Sequence, residues 1–155
     1  MEQLLEYRSH LLNRYEEATR QFCEAVETAA RSKVQNETSG WNAHQIAAHT
    51  RDVEKMVYGL RIRRTLVEDD PLFENFDGDA YLAAHYNPDE PLASILDGLA
   101  ASVRDAVARL RSLPPEAWTR PSRHETYGSG FTAQTWVERV LAHVEEHLKT
   151  VSGEQ

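Results

Sequence analysis

The stretch from Trp136 to Leu148, WVERVLAHVEEHL, is the most informative segment for the fold and the function of the chain. Its apolar residues recur three or four positions apart, which is the spacing of one face of an α-helix. His143 and His147 are four positions apart, so their imidazoles lie on one helical face, one turn from each other. Apolar residues share that face: Trp136, Val140, Val144 and Val151. The stretch therefore predicts an amphipathic helix whose two histidines point into the core.

Two segments in the N-terminal half of the chain show the same periodicity. Residues 2–31 form a long amphipathic pattern that contains neither glycine nor proline. A second helix is predicted to begin at Asn42, because Asn42 and Gln45 have the spacing of a capping box. This helix is expected to end at Leu66 or Val67, before an acidic run. Both segments predict long helices that bury one face.

A third helix is predicted between two long connections. Asp89 is placed to cap it, and Pro91 falls inside its first turn, where a missing N–H costs little. The helix is expected to end at Pro114. Residues 70–88 and 114–131 read as irregular loops, the first with room for one short helix. Connections of this length are uncommon in compact domains and are often functional.

The helix that carries the two histidines begins near Thr132. Either Thr132 or Thr135 can cap it, and Thr135 with Glu138 has the spacing of a capping box. A polar turn is expected over residues 35–40, and no strand pattern competes anywhere in the chain. The sequence therefore predicts an all-α protein, a four-helix bundle in which residues 1–155 form a single domain.

The composition limits the classes of partner and compartment. The chain has 155 residues, 41% of them apolar, and a formal net charge of -8, which argues against nucleic acid as a partner. Arg61, Arg63 and Arg64 lie beside an acidic run and are interpreted as a solvated surface. Cys23 is the single cysteine and is expected to be an inert packing residue. With no leader segment and no apolar run of about 18 residues, the prediction is a soluble cytoplasmic protein without a membrane partner.

A third histidine lies on the predicted second helix. His49 shares its face with apolar residues: Ile46, Val53, Met56 and Leu60. Neutral imidazole binds zinc, nickel, copper and ferrous iron, and three protein ligands leave a position for water or substrate. Burial of three polar rings without partners would cost roughly 1–3 kcal/mol each. His49, His143 and His147 are therefore predicted to hold a divalent metal; the alternative is three core histidines, each satisfied by a hydrogen bond.

Other polar residues are weaker candidates for the site. Four further histidines are present: His10, His44, His85 and His124. The first two are expected at the surface, whereas the last two fall in loops from which either could approach the open side of the metal. Asp52 and Glu146 each lie three residues from a predicted ligand. They are candidates to accept the second N–H of an imidazole, or else they face solvent.

Two motifs and their order resemble the DinB-like family. This four-helix bundle superfamily also includes YfiT-type metal-dependent hydrolases and thiol-dependent S-transferases. The first motif is WNAHQIAAH, from Trp41 to His49, in which a tryptophan precedes a capped helix and a histidine follows about two turns later. The second is the terminal pair of histidines, His143 and His147. The order of long helix, histidine helix, long connection, third helix, loop and final histidine helix covers essentially the whole chain.

The resemblance implies a bundle of the DinB/YfiT type with long connections and helices packed out of chain order. It implies a divalent metal at one end of the bundle, held by His49, His143 and His147. Family members often form homodimers, and some use a low-molecular-weight thiol, such as bacillithiol or mycothiol, as a co-substrate. The sequence keeps three histidines where some relatives have a carboxylate ligand.

Together these features predict a metal-dependent enzyme. A zinc, nickel or iron ion on the three histidines would activate a thiolate or a water for transfer to, or hydrolysis of, a small-molecule substrate. The sequence identifies no further catalytic side chain and no site for an organic cofactor. Residues 70–88 and 114–131 are expected to shape the pocket. The alternatives are a metal-binding protein without catalysis, and a metal-free bundle that acts as a dimerisation or small-ligand module.

Overall fold

The computed structural model describes residues 1–32 and 40–153, and it confirms the predicted all-α four-helix bundle. Its helices are α1 (Glu2–Ser32), α2 (Ala43–Val53), a π-helical turn (Glu54–Tyr58), α3 (Gly59–Val67), α4 (Gly78–His85), α5 (Leu92–Arg111) and α6 (Ala133–Ser152). The α2, π-helical and α3 segments form one long helix, and α4 is the short helix for which the first connection has room. The predicted turn over 35–40 lies outside the described residues except for Gly40.

The long helices pack out of chain order. The first and last of them, α1 and α6, form the most extensive pair, while α5 packs on α1 and α2. The α2–α3 helix closes the ring against α6, whereas α5 and α6, consecutive in the chain, share at most peripheral contacts. Because α5 and α6 lie diagonally across the bundle, the chain needs a long connection between them. This arrangement brings α2 and α6, the two histidine helices, side by side.

Side-chain caps fix three of the helix starts, and Asp77 caps α4 by accepting the Ala80 N–H. Asn42 and Gln45 form the predicted capping box at α2. At α6 the box consists of Thr132 and Thr135, so the predicted pair of Thr135 with Glu138 is wrong; the Glu138 carboxylate instead accepts a hydrogen bond from the Tyr7 hydroxyl. The predicted Asp89 cap is also wrong, because α5 begins one residue after Pro91 and has no side-chain cap.

Three short strands join the two long connections, although no strand was predicted. Strand β1 (Leu72–Phe73) pairs in parallel with β2 (Pro121–His124), which pairs antiparallel with β3 (Gly128–Thr132). Strands of two to five residues are too short to show an alternating pattern in the sequence. The Trp136 indole donates to the Ser122 hydroxyl at 2.8 Å, which ties the sheet to α6.

A π-helical turn interrupts the helix that was predicted to run unbroken from Asn42. The Gly59 N–H bonds to the Glu54 carbonyl, five residues back instead of four. A side chain at Gly59 would place its Cβ 2.7 Å from that carbonyl oxygen, so glycine is needed for this close approach. The turn directs Glu54 into the core, where it is 2% exposed and its carboxylate accepts the Tyr15 hydroxyl.

In the described part of the chain, no helix combines the length and the apolar character needed to cross a membrane.

Candidate metal centre

The structure brings the three predicted histidines together. His49 comes from α2, and His143 and His147 come from α6. One nitrogen from each ring lies within 4.8 Å of the others, and the Nε2 atoms of His143 and His147 are 3.0 Å apart. The ring centre of His49 is 5.7 Å from that of His143 and 5.0 Å from that of His147. Among the described residues, this is the cluster of histidine, cysteine and carboxylate side chains with the spacing of a metal site.

The environment keeps all three imidazoles uncharged. Burial, followed by the charges of His147 and His49, lowers the pKa of His143 to about 3. Burial and His49 lower the pKa of His147 to about 4. The pKa of His49 is also lowered, chiefly by burial, although Asp79 and Asp52 oppose that shift. At neutral pH the cluster therefore presents free lone pairs, which is the form that binds a metal.

The donor set fits one divalent ion. With metal–nitrogen bonds of about 2.0–2.1 Å, two nitrogens on a tetrahedral ion lie about 3.3 Å apart, close to the separation of the two Nε2 atoms. The Nδ1 atom of His49 is buried and has no hydrogen-bond partner in the described structure. The Gly78 backbone raises the pKa of His49, but it forms no hydrogen bond with Nδ1. Hydrogen bonding within the protein therefore does not explain why this imidazole is buried.

Residues from three segments line the cluster. The Trp41 ring centre is 5.0 Å from that of His49, and the Tyr58 ring centre is 5.5 Å from that of His143. Gly78, at the start of α4, lies against the His49 ring, where an added Cβ would be 2.7 Å from Cε1. His49 is 8% exposed, whereas the two α6 histidines are half-buried, so solvent reaches part of the α6 side chains.

The other histidines do not join the cluster. His10 is exposed, as predicted. His44 was expected at the surface, but it is half-buried and bonded to the Tyr86 hydroxyl and the Glu90 carbonyl. His85 and His124 do not approach the metal centre: the first is exposed on α4, and the second is buried in β2, where its Nδ1 accepts backbone N–H groups from the turn that follows.

The carboxylates that were candidates to support the ligands make no hydrogen bond to them. Asp52 pairs with Arg51 at 3.1 Å, and Glu146 is exposed. Sequence reasoning missed Asp79, whose negative charge raises the pKa of His49 more than the charge of Asp52 does. It also missed Gly78, because the approach of α4 to His49 depends on tertiary packing. Cys23 is no nucleophile for the site, since burial and nearby carboxylates raise its pKa to about 11.

Gly78→Ala is expected to weaken zinc binding by at least about tenfold. The new methyl group would displace the His49 ring. Substitution of residues that orient a metal ligand typically reduces metal affinity by about 10–100-fold. Competition with a chromophoric chelator measures the affinity. Gly98→Ala is the matched control, because its Cβ would meet only Arg51 Cδ at an ordinary 3.6 Å. Equal zinc affinities for the two variants would show that Gly78 does not position His49.

Comparisons with known proteins identify the family and the fold of the chain. The sequence profile of the DinB superfamily matches residues 2–151. One similar solved structure is YfiT from Bacillus subtilis, described as a probable metal-dependent hydrolase with an unusual four-helix bundle topology. The two chains are 20% identical, with a TM-score of 0.82 over 96% of this chain and 85% of that one, which shows a shared fold. No curated protein sequence matches. Because the family profile spans nearly the whole length, the chain belongs to the DinB superfamily.

Proposed function

We propose that this protein is a metal-dependent enzyme that hydrolyses a small substrate or transfers a thiol to it. The observation that carries the proposal is the convergence of three neutral imidazoles from two helices, two of them only half-buried. A site with three protein ligands and an open side is the pattern of a catalytic metal centre, whereas structural sites are closed by four ligands.

In this proposal His49, His143 and His147 hold the ion. Zinc, nickel and iron are the candidates, because nitrogen ligands accept each of them. When bound, such an ion supplies the Lewis acidity that activates a water or a thiol. The protein contributes ligands that stay unprotonated at neutral pH and two aromatic walls, Trp41 and Tyr58, beside the ligands.

Hydrolysis and thiol transfer differ in the nucleophile that they require. The description of YfiT as a probable metal-dependent hydrolase supports hydrolysis as the first candidate. Thiol transfer would require an external thiol, because Cys23, the only cysteine, has a raised pKa. A low-molecular-weight thiol such as bacillithiol or mycothiol would fill that role, as the family resemblance implies.

The test compares protein loaded with zinc, nickel or ferrous iron with the chelated protein. Hydrolysis of p-nitrophenyl acetate and conjugation of a thiol to monochlorobimane report the two reactions. We expect one of them to be at least about tenfold faster in the loaded protein, and the increase to be absent from a His143→Ala/His147→Ala variant given the same metal. Tight metal binding without either reaction would favour the non-catalytic alternative.

Two expectations remain predictions alongside the proposal. We propose that residues 1–155 act as one domain and that the protein forms a homodimer, as its family resemblance implies. Sedimentation equilibrium measures the mass of the assembly directly.

A further inference from the structure

Two arginines that have no acidic partner among the described residues pack on the rings of Trp136 and Phe131. Arg61 is half-buried on α3, and Arg139 is exposed on α6, one helical turn before His143. Within the described ranges, neither guanidinium forms an ion pair, whereas Arg64 pairs with Glu68 and Arg51 with Glu90. The prediction that the basic cluster of α3 is simply solvated surface therefore fails for Arg61.

Aromatic rings hold both guanidinium groups. Arg61 Cζ lies 4.9 Å from the ring centre of Trp136, and Arg139 Cζ lies 4.9 Å from that of Phe131. The two rings stack on each other with their centres 4.9 Å apart. Cation–π contacts orient a guanidinium without neutralising it or consuming its N–H groups. The aromatic stack therefore fixes two positive charges in one region of the surface.

Most hydrogen-bond donors of these two groups are free. A guanidinium has five N–H donors. Arg61 donates to the Glu74 carbonyl at 3.0 Å and approaches His124 Nε2 at 3.5 Å, and no hydrogen bond from Arg139 occurs among the described residues. The surplus of donors suits a ligand with several acceptor oxygens in one plane or around one centre.

Tyr58 and helix α6 relate the arginines to the candidate metal centre. The ring centre of Tyr58 is 5.5 Å from that of His143. Burial raises the pKa of Tyr58, and the charges of Arg61 and Arg139 both oppose that shift. The charges of Glu54 and Glu146 raise the pKa of Tyr58. Among the described residues, neither carboxylate forms an ion pair with Arg61 or Arg139. Because Arg139 precedes His143 by one turn of α6, a ligand held at Arg139 would lie on the α6 side of the histidine cluster.

We propose that Arg61 and Arg139 form a subsite for an oxyanion, so that the substrates carry a carboxylate or a phosphate group. Two guanidinium groups held on one aromatic stack without acidic partners among the described residues attract an anion even on a chain whose net charge is -8. The proposal rests on the proposed function only for the reaction that follows at the metal; anion binding itself can be tested without turnover.

The test follows the side-chain Nε–H signals of the full-length protein by ¹⁵N NMR during titration with benzoate, phenylphosphonate or neutral benzamide. Each titration uses both zinc-loaded and chelated protein. We expect one or both anions to shift the Arg61 and Arg139 signals saturably in both forms, and the preferred anion identifies the group. Benzamide should bind at least about tenfold more weakly, because it lacks the charge that the arginines recognise.

Variants with matched loss of charge complete the experiment. Arg139→Gln and Arg61→Gln should each weaken anion binding at least about tenfold, while Arg109→Gln, an exposed site on α5, should leave it unchanged. Since Arg61 packs on Trp136, the exposed Arg139 keeps the test decisive if the Arg61 variant folds poorly. Equal binding of benzamide, binding that survives in Arg139→Gln, or binding that requires zinc would each overturn the subsite. None of these outcomes bears on metal-dependent turnover, so the two proposals fail separately.

Discussion

Replacement of His143 or His147 by alanine is expected to lower zinc affinity by more than about a hundredfold. Substitution of a residue that only orients a metal ligand already reduces metal affinity by about 10–100-fold. Loss of the ligand itself removes one of three donors. Metal content by inductively coupled plasma mass spectrometry should fall from near one ion per chain to a small fraction. The rise in melting temperature that zinc produces should disappear as well, because a ligand stabilises only the state that binds it.

His10→Ala is the control for this experiment. His10 is exposed on α1 and lies outside the cluster, so its loss should change neither metal content nor the stabilisation by zinc. His49→Ala should behave like the two α6 variants, although it comes from a different helix. Undiminished metal content in all three ligand variants would show that the histidines are core residues, and the proposed enzyme would lose its basis.

Glu54→Gln is expected to stabilise the protein above neutral pH, even though it removes a buried hydrogen-bonded carboxyl. Burial raises the pKa of Glu54 from 4.5 to about 7, against the opposing effects of Tyr15 and Arg63. Between those values the folded state holds more protons than the unfolded state, so the free energy of unfolding decreases as the pH rises. The contribution of Glu54 is complete below pH 4.5 and is lost as the pH passes 7. The variant should therefore gain up to about 3 kcal/mol over the native protein at pH 8–9 and little at pH 4.5.

Urea denaturation of the chelated protein across this pH range measures the difference. Glu138→Gln is a matched control, since the Glu138 carboxylate also accepts a tyrosine hydroxyl, from Tyr7, but at the surface. It should follow the native protein at every pH. A constant offset between Glu54→Gln and the native protein would mean that Glu54 titrates normally in the folded state.

The sequence was sufficient to predict the bundle and to choose the histidines that meet. Both results depend on helical periodicity, which places His49, His143 and His147 on apolar faces, and a face of this kind must pack against another helix. His44 was misassigned because its position on the helix indicates only which side it faces. Its partners, Tyr86 and the Glu90 backbone, come from the connection whose path could not be predicted.

The features that sequence reasoning missed are set by contacts between distant segments. The strands are too short for a periodic signal, and β1 pairs with residues about 50 positions away. Arg61 looked like surface because its neighbours on the chain are charged, whereas its actual neighbours are the rings of Trp136 and Phe73. Gly78 carries no pattern of its own, and its role follows from the approach of α4 to His49.

The π-helical turn also sets the phase between the two halves of one long helix. One added residue rotates everything beyond it by about 100° relative to an unbroken α-helix. The half before the turn carries His49, and the half after it carries Arg61. If the same residues formed an unbroken α-helix, Arg61 would turn away from Trp136 while His49 stayed in place, whereas deletion of one residue within 54–58 would restore a regular helix and keep both orientations. The chain thus separates the orientation of its metal ligand from that of its arginine, so each could change in evolution without disturbing the other.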